Sequence, residues 1–273
     1  MKNRLITNAD DLGLSKGINL AILRAGNEGF LSHASLMANT DFFIHAIQDV
    51  IPHAPKLKIG LHINLTCCKA ISGKSSITDA EGFLSNNFVK LLFMRKSDNV
   101  LNDLEKEIEL QLQKLLKNNI EITHIDGHEH VHVIPSINRI VRKLAKKYNI
   151  DRIREINENF VTTFRYNFRT ASVANLIKLF LLKFLSSFNH NKKEIEFYTI
   201  LNTCEINAQN LFSYLESEKG KTVEVMLHPS VREMDGDNSN LDMRFREFLQ
   251  SDFRKQEYEL CFNGKFKEYE FLD

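Results

Sequence analysis

Four stretches of this sequence carry side chains able to hold a cation or move a proton. Two carboxylates stand side by side at Asp10-Asp11, at the end of the β-like run RLITNA. Four of the ten histidines, His124, His128, His130 and His132, fall within THIDGHEHVH, with Asp126 among them. Single histidines sit in two further apolar runs, His62 in GLHINLT and His228 in VEVMLHPS. Imidazoles and carboxylates gathered at strand ends are the donors of sites that use a metal to activate water and polarise a carbonyl. Each piece also has a plainer reading. A DD pair before glycine is commonly an exposed turn or a helix cap, and a lone histidine in a strand is commonly a hydrogen-bonded core residue. The histidine cluster resists that reading, because strand-forming Ile and Val surround it and Pro135 follows, unlike a disordered histidine tract. In an unbroken strand residues 124, 126, 128, 130 and 132 would share a face. Gly127 lets the chain turn, so convergence of all four histidines does not follow.

These side chains need elements that bring them together, and the hydrophobic pattern supplies an alternation of short strands and helices. Strands are predicted over Arg4–Ala9, Ser32–Ala38, Lys58–Leu65, Glu121–Ile125, Asp151–Glu155, Ile195–Leu201 and Thr222–Leu227. Helices are predicted over Gly17–Glu28, Phe42–Val50, Leu101–Asn118, Ile137–Tyr148, Ala208–Glu216 and Leu241–Ser251. Residues 67–97 read as an irregular insertion and 157–169 as an aromatic, basic loop. Roughly seven βα units in series imply parallel strands joined by crossover helices. Asp10-Asp11, His62, Asp126 with His128, Arg154 and His228 each fall within or just after a different strand. A closed barrel gathers such ends at one mouth, whereas an open sheet spreads them along an edge. The expectation is therefore an α/β fold, a single (β/α) barrel domain over residues 1–273, irregular and with fewer than eight complete units.

Composition narrows the partners. The chain has 273 residues, 43% hydrophobic and 26% charged, with a formal net charge of +1. No global field favours nucleic acid or an anionic membrane. Cys67, Cys68, Cys204 and Cys261 show no CxxC spacing, and the adjacent pair suits neither a zinc knuckle nor an ordinary disulfide. Reduced thiols and an N-terminus lacking an apolar signal core point to the cytoplasm. The run Ala171–Phe188 is greasy but short for a membrane span, and Lys178 and Lys183 interrupt it. It reads first as a buried outer helix of the barrel and second as a contact in a homodimer.

Taken together, NADDLGLS at 8–15, GLHINLT at 60–66, THIDGHEHVH at 123–132 and MLHPS at 226–230 resemble the YdjC-like carbohydrate deacetylases. That family includes enzymes that remove one acetyl group from short N-acetylglucosamine oligomers. The resemblance implies a (β/α) barrel and one divalent metal held by Asp11, His62 and His128. It further implies Asp10 as catalytic base, His228 as the acid near the leaving nitrogen, and Arg154-Glu155 as the family's arginine–glutamate pair. Three positions depart from the pattern: Gly127 stands where serine is expected, Ser230 where glycine is, and Ile156 where proline is. None is a ligand or base, so the departures bear on substrate shape.

In such a site Asp10 accepts a proton from water, and His228 protonates an amine that cannot leave as an anion. Asp126 orients a metal-bound imidazole from behind. Arg154 either keeps Asp10 charged or contacts substrate, while His124, His130 and His132 take supporting or cleft positions. Two imidazoles and a carboxylate suit zinc by ligand type, whereas the resemblance points to magnesium. The rivals are a metal-dependent phosphoesterase, which normally needs more bridging carboxylates, and a sugar- or metal-binding protein without catalysis, which would not need Asp10.

Overall fold

The computed structural model describes residues 3–169, 171–189, 195–203, 205–231, 234, 247, 249 and 251–272. Its strands are β1 (Arg4–Leu12), β2 (His33–Leu36), β3 (Lys58–Ile63), β4 (His124–Gly127), β5 (Arg152–Ile153), β6 (Ile195–Tyr198), β7 (Thr222–Leu227) and β8 (Glu270–Phe271). The helices are α1 (Lys16–Glu28), α2 (Phe43–His45), α3 (Phe88–Phe93), α4 (Asp98–Lys117), α5 (Pro135–Lys147), α6 (Phe160–Asn167), α7 (Val173–Ser186), α8 (Ala208–Ser217) and α9 (Asp252–Leu260). All pairings between these strands are parallel, in the order β5-β4-β3-β2-β1-β7-β6. The short β8 adds to β1 at Arg4 and Leu5, below the stretch where β1 meets β2.

Helices cover the outside of the sheet, and β1, β3 and β7 are buried along nearly their whole length, as parallel strands covered on both faces must be. The sheet curls so that its edges approach, without β5 and β6 pairing among the described residues. The Phe197 amide on β6 donates to the Asn157 carbonyl beyond β5 at 3.1 Å. The result is the expected irregular barrel with fewer than eight βα units. Helix starts follow side-chain caps: Ser15, Ser97 and Asn207 accept from the first turns of α1, α4 and α8.

The barrel interior is polar below the mouth. His124 lies across the strand from Gly60, where any Cβ would collide with the imidazole ring. Gly60 is thus the space that lets a histidine lie inside the barrel.

Several expectations shift. Residues 157–169 contain α6, begun by Asn159 accepting from Thr162, rather than a loop throughout. The insertion at 67–97 contains α3 and an antiparallel bridge between Lys69 and Phe83. The fourth strand runs to Gly127 instead of ending at Ile125, which carries Asp126 into the ladder opposite His62. The helix predicted over 241–251 lies mostly outside the described residues, as does Cys204. The tail beyond it is ordered as α9 and β8. The greasy segment forms α7, but only Leu179, Leu182 and Leu185 are buried, and Val173, Ile177, Phe180 and Phe184 face outward.

Glu158 is fully buried beneath the loop after β6, accepting from the Ile200 amide at 2.6 Å and the Thr199 hydroxyl at 3.2 Å. Burial pushes its carboxyl from an ordinary 4.5 up to about 7. The folded protein therefore holds a proton that the unfolded chain releases across that window. Stability from this group is full below the unfolded value and falls as pH rises through the folded one, by on the order of 3 kcal/mol. Melting temperature should accordingly decline between about pH 5 and pH 8, and Glu158→Gln should flatten the decline. An unchanged slope in that variant would place the pH dependence elsewhere.

Candidate active site

The mouth of the barrel is built where β1 stops alternating. Asp10 is still extended, but Asp11 has φ +68°, a left-handed conformation that Asp tolerates better than most residues. The turn sends the two neighbouring carboxylates to different partners, although both are buried, at 2% and 1% exposure.

Asp11 faces two imidazoles. Its Oδ1 lies 2.9 Å from Nδ1 of His128, just past the end of β4, and 3.4 Å from Nε2 of His62 on β3. Its Oδ2 accepts from the guanidinium of Arg254 on α9 at 2.7 Å. One donor atom from each of Asp11, His62 and His128 fits within 4.8 Å of the others. Ligand atoms each about 2.1 Å from a shared ion stand about 3.0–3.4 Å apart in octahedral or tetrahedral geometry. The two distances from Asp11 Oδ1 match that spacing, so these residues fit a divalent cation. Asp10, His62 and Asp126 form a second group of similar compactness, but both of its carboxylates already pair with Arg154.

The histidine orientations have visible causes. Asp126 Oδ1 holds His62 Nδ1 at 2.7 Å, which leaves Nε2 to face Asp11. Burial works against charge on His62, yet Asp126 and Asp10 push its pKa up to about 10. Burial likewise opposes ionisation of Asp11, but His128, His62 and Arg254 hold its carboxyl well below the usual range. Imidazole protons and a divalent cation are alternative ways to balance that carboxylate.

Behind this trio lies one connected network. Arg154, fully buried past the end of β5, grips both oxygens of Asp10 at 2.7 Å. The same guanidinium reaches Asp126 Oδ2 at 2.7 Å and Glu224 Oε1 on β7 at 2.7 Å. Ser35 donates to Asp126 at 2.6 Å, and Asn8 donates to Asp10 at 2.8 Å and to Ser35 at 2.9 Å. Asp10 is thus fixed by two charge-assisted bonds and by Asn8, which also donates to Oδ1, so that Oδ2 is the oxygen that keeps a second lone-pair direction.

The remaining histidines separate. Glu129 and His130 both adopt left-handed backbone conformations, which breaks the alternation expected of a strand. His130 packs edge-on against Phe197, and His132 lies beside His130; both are buried, and neither belongs to the group of donor atoms around Asp11. Burial pushes His132 down to about 4. His124 sits lower in the barrel, 3.1 Å from Ser35 and 2.9 Å from Thr123. His228 follows Leu227, whose register partner is Ala9, so it emerges alongside Asp10. Its Nδ1 stands 3.4 Å from Glu257 on α9. Of the Arg154-Glu155 pair, the arginine is the residue that meets Asp10.

Residues 67–97 are tied to this mouth. Glu107 on α4 accepts from the Ile71 and Ser72 amides at 3.1 and 2.7 Å, and Glu129 accepts from the Phe88 amide at 2.8 Å. Sequence reading missed Glu224 and Arg254. An acid inside the apolar run TVEVML was a usable signal for the first; Arg254 lies in a polar helix that offered none.

A family model described as YdjC-like protein matches residues 4–270. A carbohydrate deacetylase of Brevibacillus brevis is 40% identical over 152 residues, covering 54% of this chain and 57% of that relative. Another, of Clostridium beijerinckii, is 38% identical over 168 residues, covering 59% and 66% respectively. The chain thus spans less than two thirds of either relative's length. A crystal structure of a candidate cellobiose-phosphate cleavage protein from Enterococcus faecalis V583 aligns with a TM-score of 0.69. It covers 100% of this chain and 98% of that one at 19% identity, a likeness of fold.

Proposed function

The chain belongs to the YdjC-like family, and from that premise we propose that it is a hydrolase removing the N-acetyl group from a short N-acetylglucosamine-type sugar. The observation that carries this reading is the convergence of Asp11, His62 and His128 beside an Arg154-clamped Asp10. Asp11, His62 and His128 are the proposed holders of one divalent ion. When bound, that ion supplies Lewis acidity, polarising the amide carbonyl and easing deprotonation of water. Two imidazoles favour a zinc-type ion and the family resemblance a magnesium-type ion; elemental analysis of the purified protein discriminates.

Asp10 acts as general base, its carboxylate oriented by Arg154 toward the attacking water. His228 delivers a proton to the departing amine nitrogen. Asp126 keeps the His62 proton on Nδ1 and so leaves Nε2 for the cation. Arg254 fixes the second oxygen of Asp11. The segments at 67–97 and 157–169 form the sugar pocket's walls, and the catalytic unit spans the chain. Its compartment is the cytoplasm, a reading supported by the free thiols of Cys67, Cys68 and Cys261. Among the described residues no helix is long and apolar enough to cross a membrane.

The test is a panel of acetylated amino sugars incubated with metal-supplemented protein and followed by mass spectrometry. A loss of about 42 Da, acetyl exchanged for hydrogen, is expected. Hydrolysis of a generic phosphate ester, with every acetylated sugar left intact, would overturn the reading.

We also propose a homodimer through α6 and α7. Val161, Phe164, Phe168, Ile177, Phe180 and Phe184 are 41–74% exposed there, an apolar surface that a monomer rarely leaves uncovered. Light scattering should give twice the monomer mass, and Phe180→Asp with Phe184→Asp should return it to the monomer. A monomeric wild-type protein at working concentration would remove the proposal.

A further inference from the structure

The adjacent cysteines take no part in the proposed reaction, yet their geometry is unusual. Neighbours in an extended chain point to opposite sides. Here Cys68 has φ +64°, and this left-handed residue brings the two sulfurs to 3.7 Å. Two bonds of about 2.3 Å, the length of a metal–thiolate bond, span about 3.3–3.8 Å as the angle between them opens from the pyramidal to the tetrahedral value. The sulfurs therefore already stand within a few tenths of an ångström of the spacing that one thiophilic centre requires.

The surroundings hold that spacing. Asn64 accepts from the Cys67 amide at 3.2 Å and donates to the Cys67 carbonyl at 2.9 Å. Gln111 pins Asn64 in turn, accepting from its amide at 3.0 Å and donating to its carbonyl at 2.7 Å. Beyond the pair, the Leu84 amide donates to the Cys68 carbonyl at 2.8 Å. Cys67 is buried and Cys68 half-buried, so a ligand enters from the Cys68 side. The hydrogen bond between the two sulfurs lowers the Cys68 pKa, and the same contact, with burial, raises that of Cys67. Cys68 is the sulfur that reacts first.

We infer that Cys67 and Cys68 form a preorganised dithiol site for trivalent arsenicals, set in the wall of the barrel mouth. The step balances without any redox partner. An arsenoso group, R–As=O, forms two As–S bonds as two S–H bonds break, and the oxygen leaves with both protons as water. Arsenic stays trivalent. Asn64 directly follows β3, which carries His62, so an occupant of the pair presses on the end of that strand. Loss of activity on binding is therefore expected, and this clause alone rests on the deacetylase reading.

The experiment uses phenylarsine oxide at one equivalent per folded chain, read by intact-mass spectrometry. One adduct should form, resist excess monothiol and come off with a 1,2-dithiol. It should be absent in Cys67→Ser and Cys68→Ser and retained in Cys261→Ser and Cys204→Ser. Should Cys67→Ser fail to fold, the half-buried Cys68→Ser with an unchanged melting temperature decides. An adduct that persists in folded Cys68→Ser, or that a monothiol strips readily, overturns the site. Full deacetylation by the adduct would refute the coupling to β3. Failure of untreated protein to deacetylate anything would refute the functional reading and leave the dithiol site standing.

Discussion

Asp11→Asn is expected to lose its metal, whereas Asp10→Asn is expected to keep it and turn over about 10²–10⁴-fold more slowly, the range for loss of a general base. The contrast follows from geometry. Asp11 Oδ1 is the atom shared by His62 and His128, and it is the only carboxylate in that trio. Asparagine tolerates a left-handed φ of +68° as aspartate does, so the variant should fold while lacking the charge that offsets a cation. Asp10 faces Arg154 instead, and in the trio it contributes nothing. Elemental analysis and deacetylation rate, measured on the same preparations, separate the two effects. Metal lost from Asp10→Asn and kept by Asp11→Asn would reverse the roles. Full activity in both would remove this site from the reaction.

The second large effect concerns folding. Arg154 is the shared partner of Asp10, Asp126 and Glu224, all nearly or fully buried. Arg154→Met would leave three carboxylates to share what positive charge remains. Removing one partner of a buried ionic network costs about 3–5 kcal/mol, because the remaining charges are stranded. Arg152 also touches Glu224 at 3.2 Å and His62 holds Asp126 at 2.7 Å, so Asp10 bears most of the loss. Lysine should rescue poorly, since a single ammonium cannot reproduce the fork that contacts three carboxylates. Urea unfolding should show a lower midpoint with an unchanged slope. A shift worth under about 1 kcal/mol would mean the carboxylates are neutral in the folded protein.

Much of this site was legible because strands announce themselves. Each of Asp10, His62, Asp126 and His228 lies in or beside an apolar run whose period sets its face, and family-like motifs surround them. The histidine cluster was harder. Its even spacing suggested a shared face, and only the left-handed pair Glu129-His130 sends His128 to the mouth and turns His130 and His132 aside. A residue with positive φ that is not glycine leaves little trace in composition. The left-handed backbones of Asp11 and Cys68 escaped notice for the same reason. Helix α6 was read as loop because its aromatic and basic residues show no strong period. Arg254 was unreadable in principle, since its meaning depends on a partner 243 residues away.

That separation bears on how the protein comes into being. Strand β1 leaves the ribosome well before β7 and β8, yet it is flanked by them in the sheet and its Asp11 is braced from α9. During synthesis the chain therefore carries its paired acids with half their neighbours still unmade, and β1 presents a bare edge to any other strand nearby. Assembly of this sheet is a long-range closure of early-made on late-made segments, a step whose entropy cost makes it slow. The brace on Asp11 from Arg254 therefore arrives late, after the segments that carry the neighbouring His62 and His128 have been made.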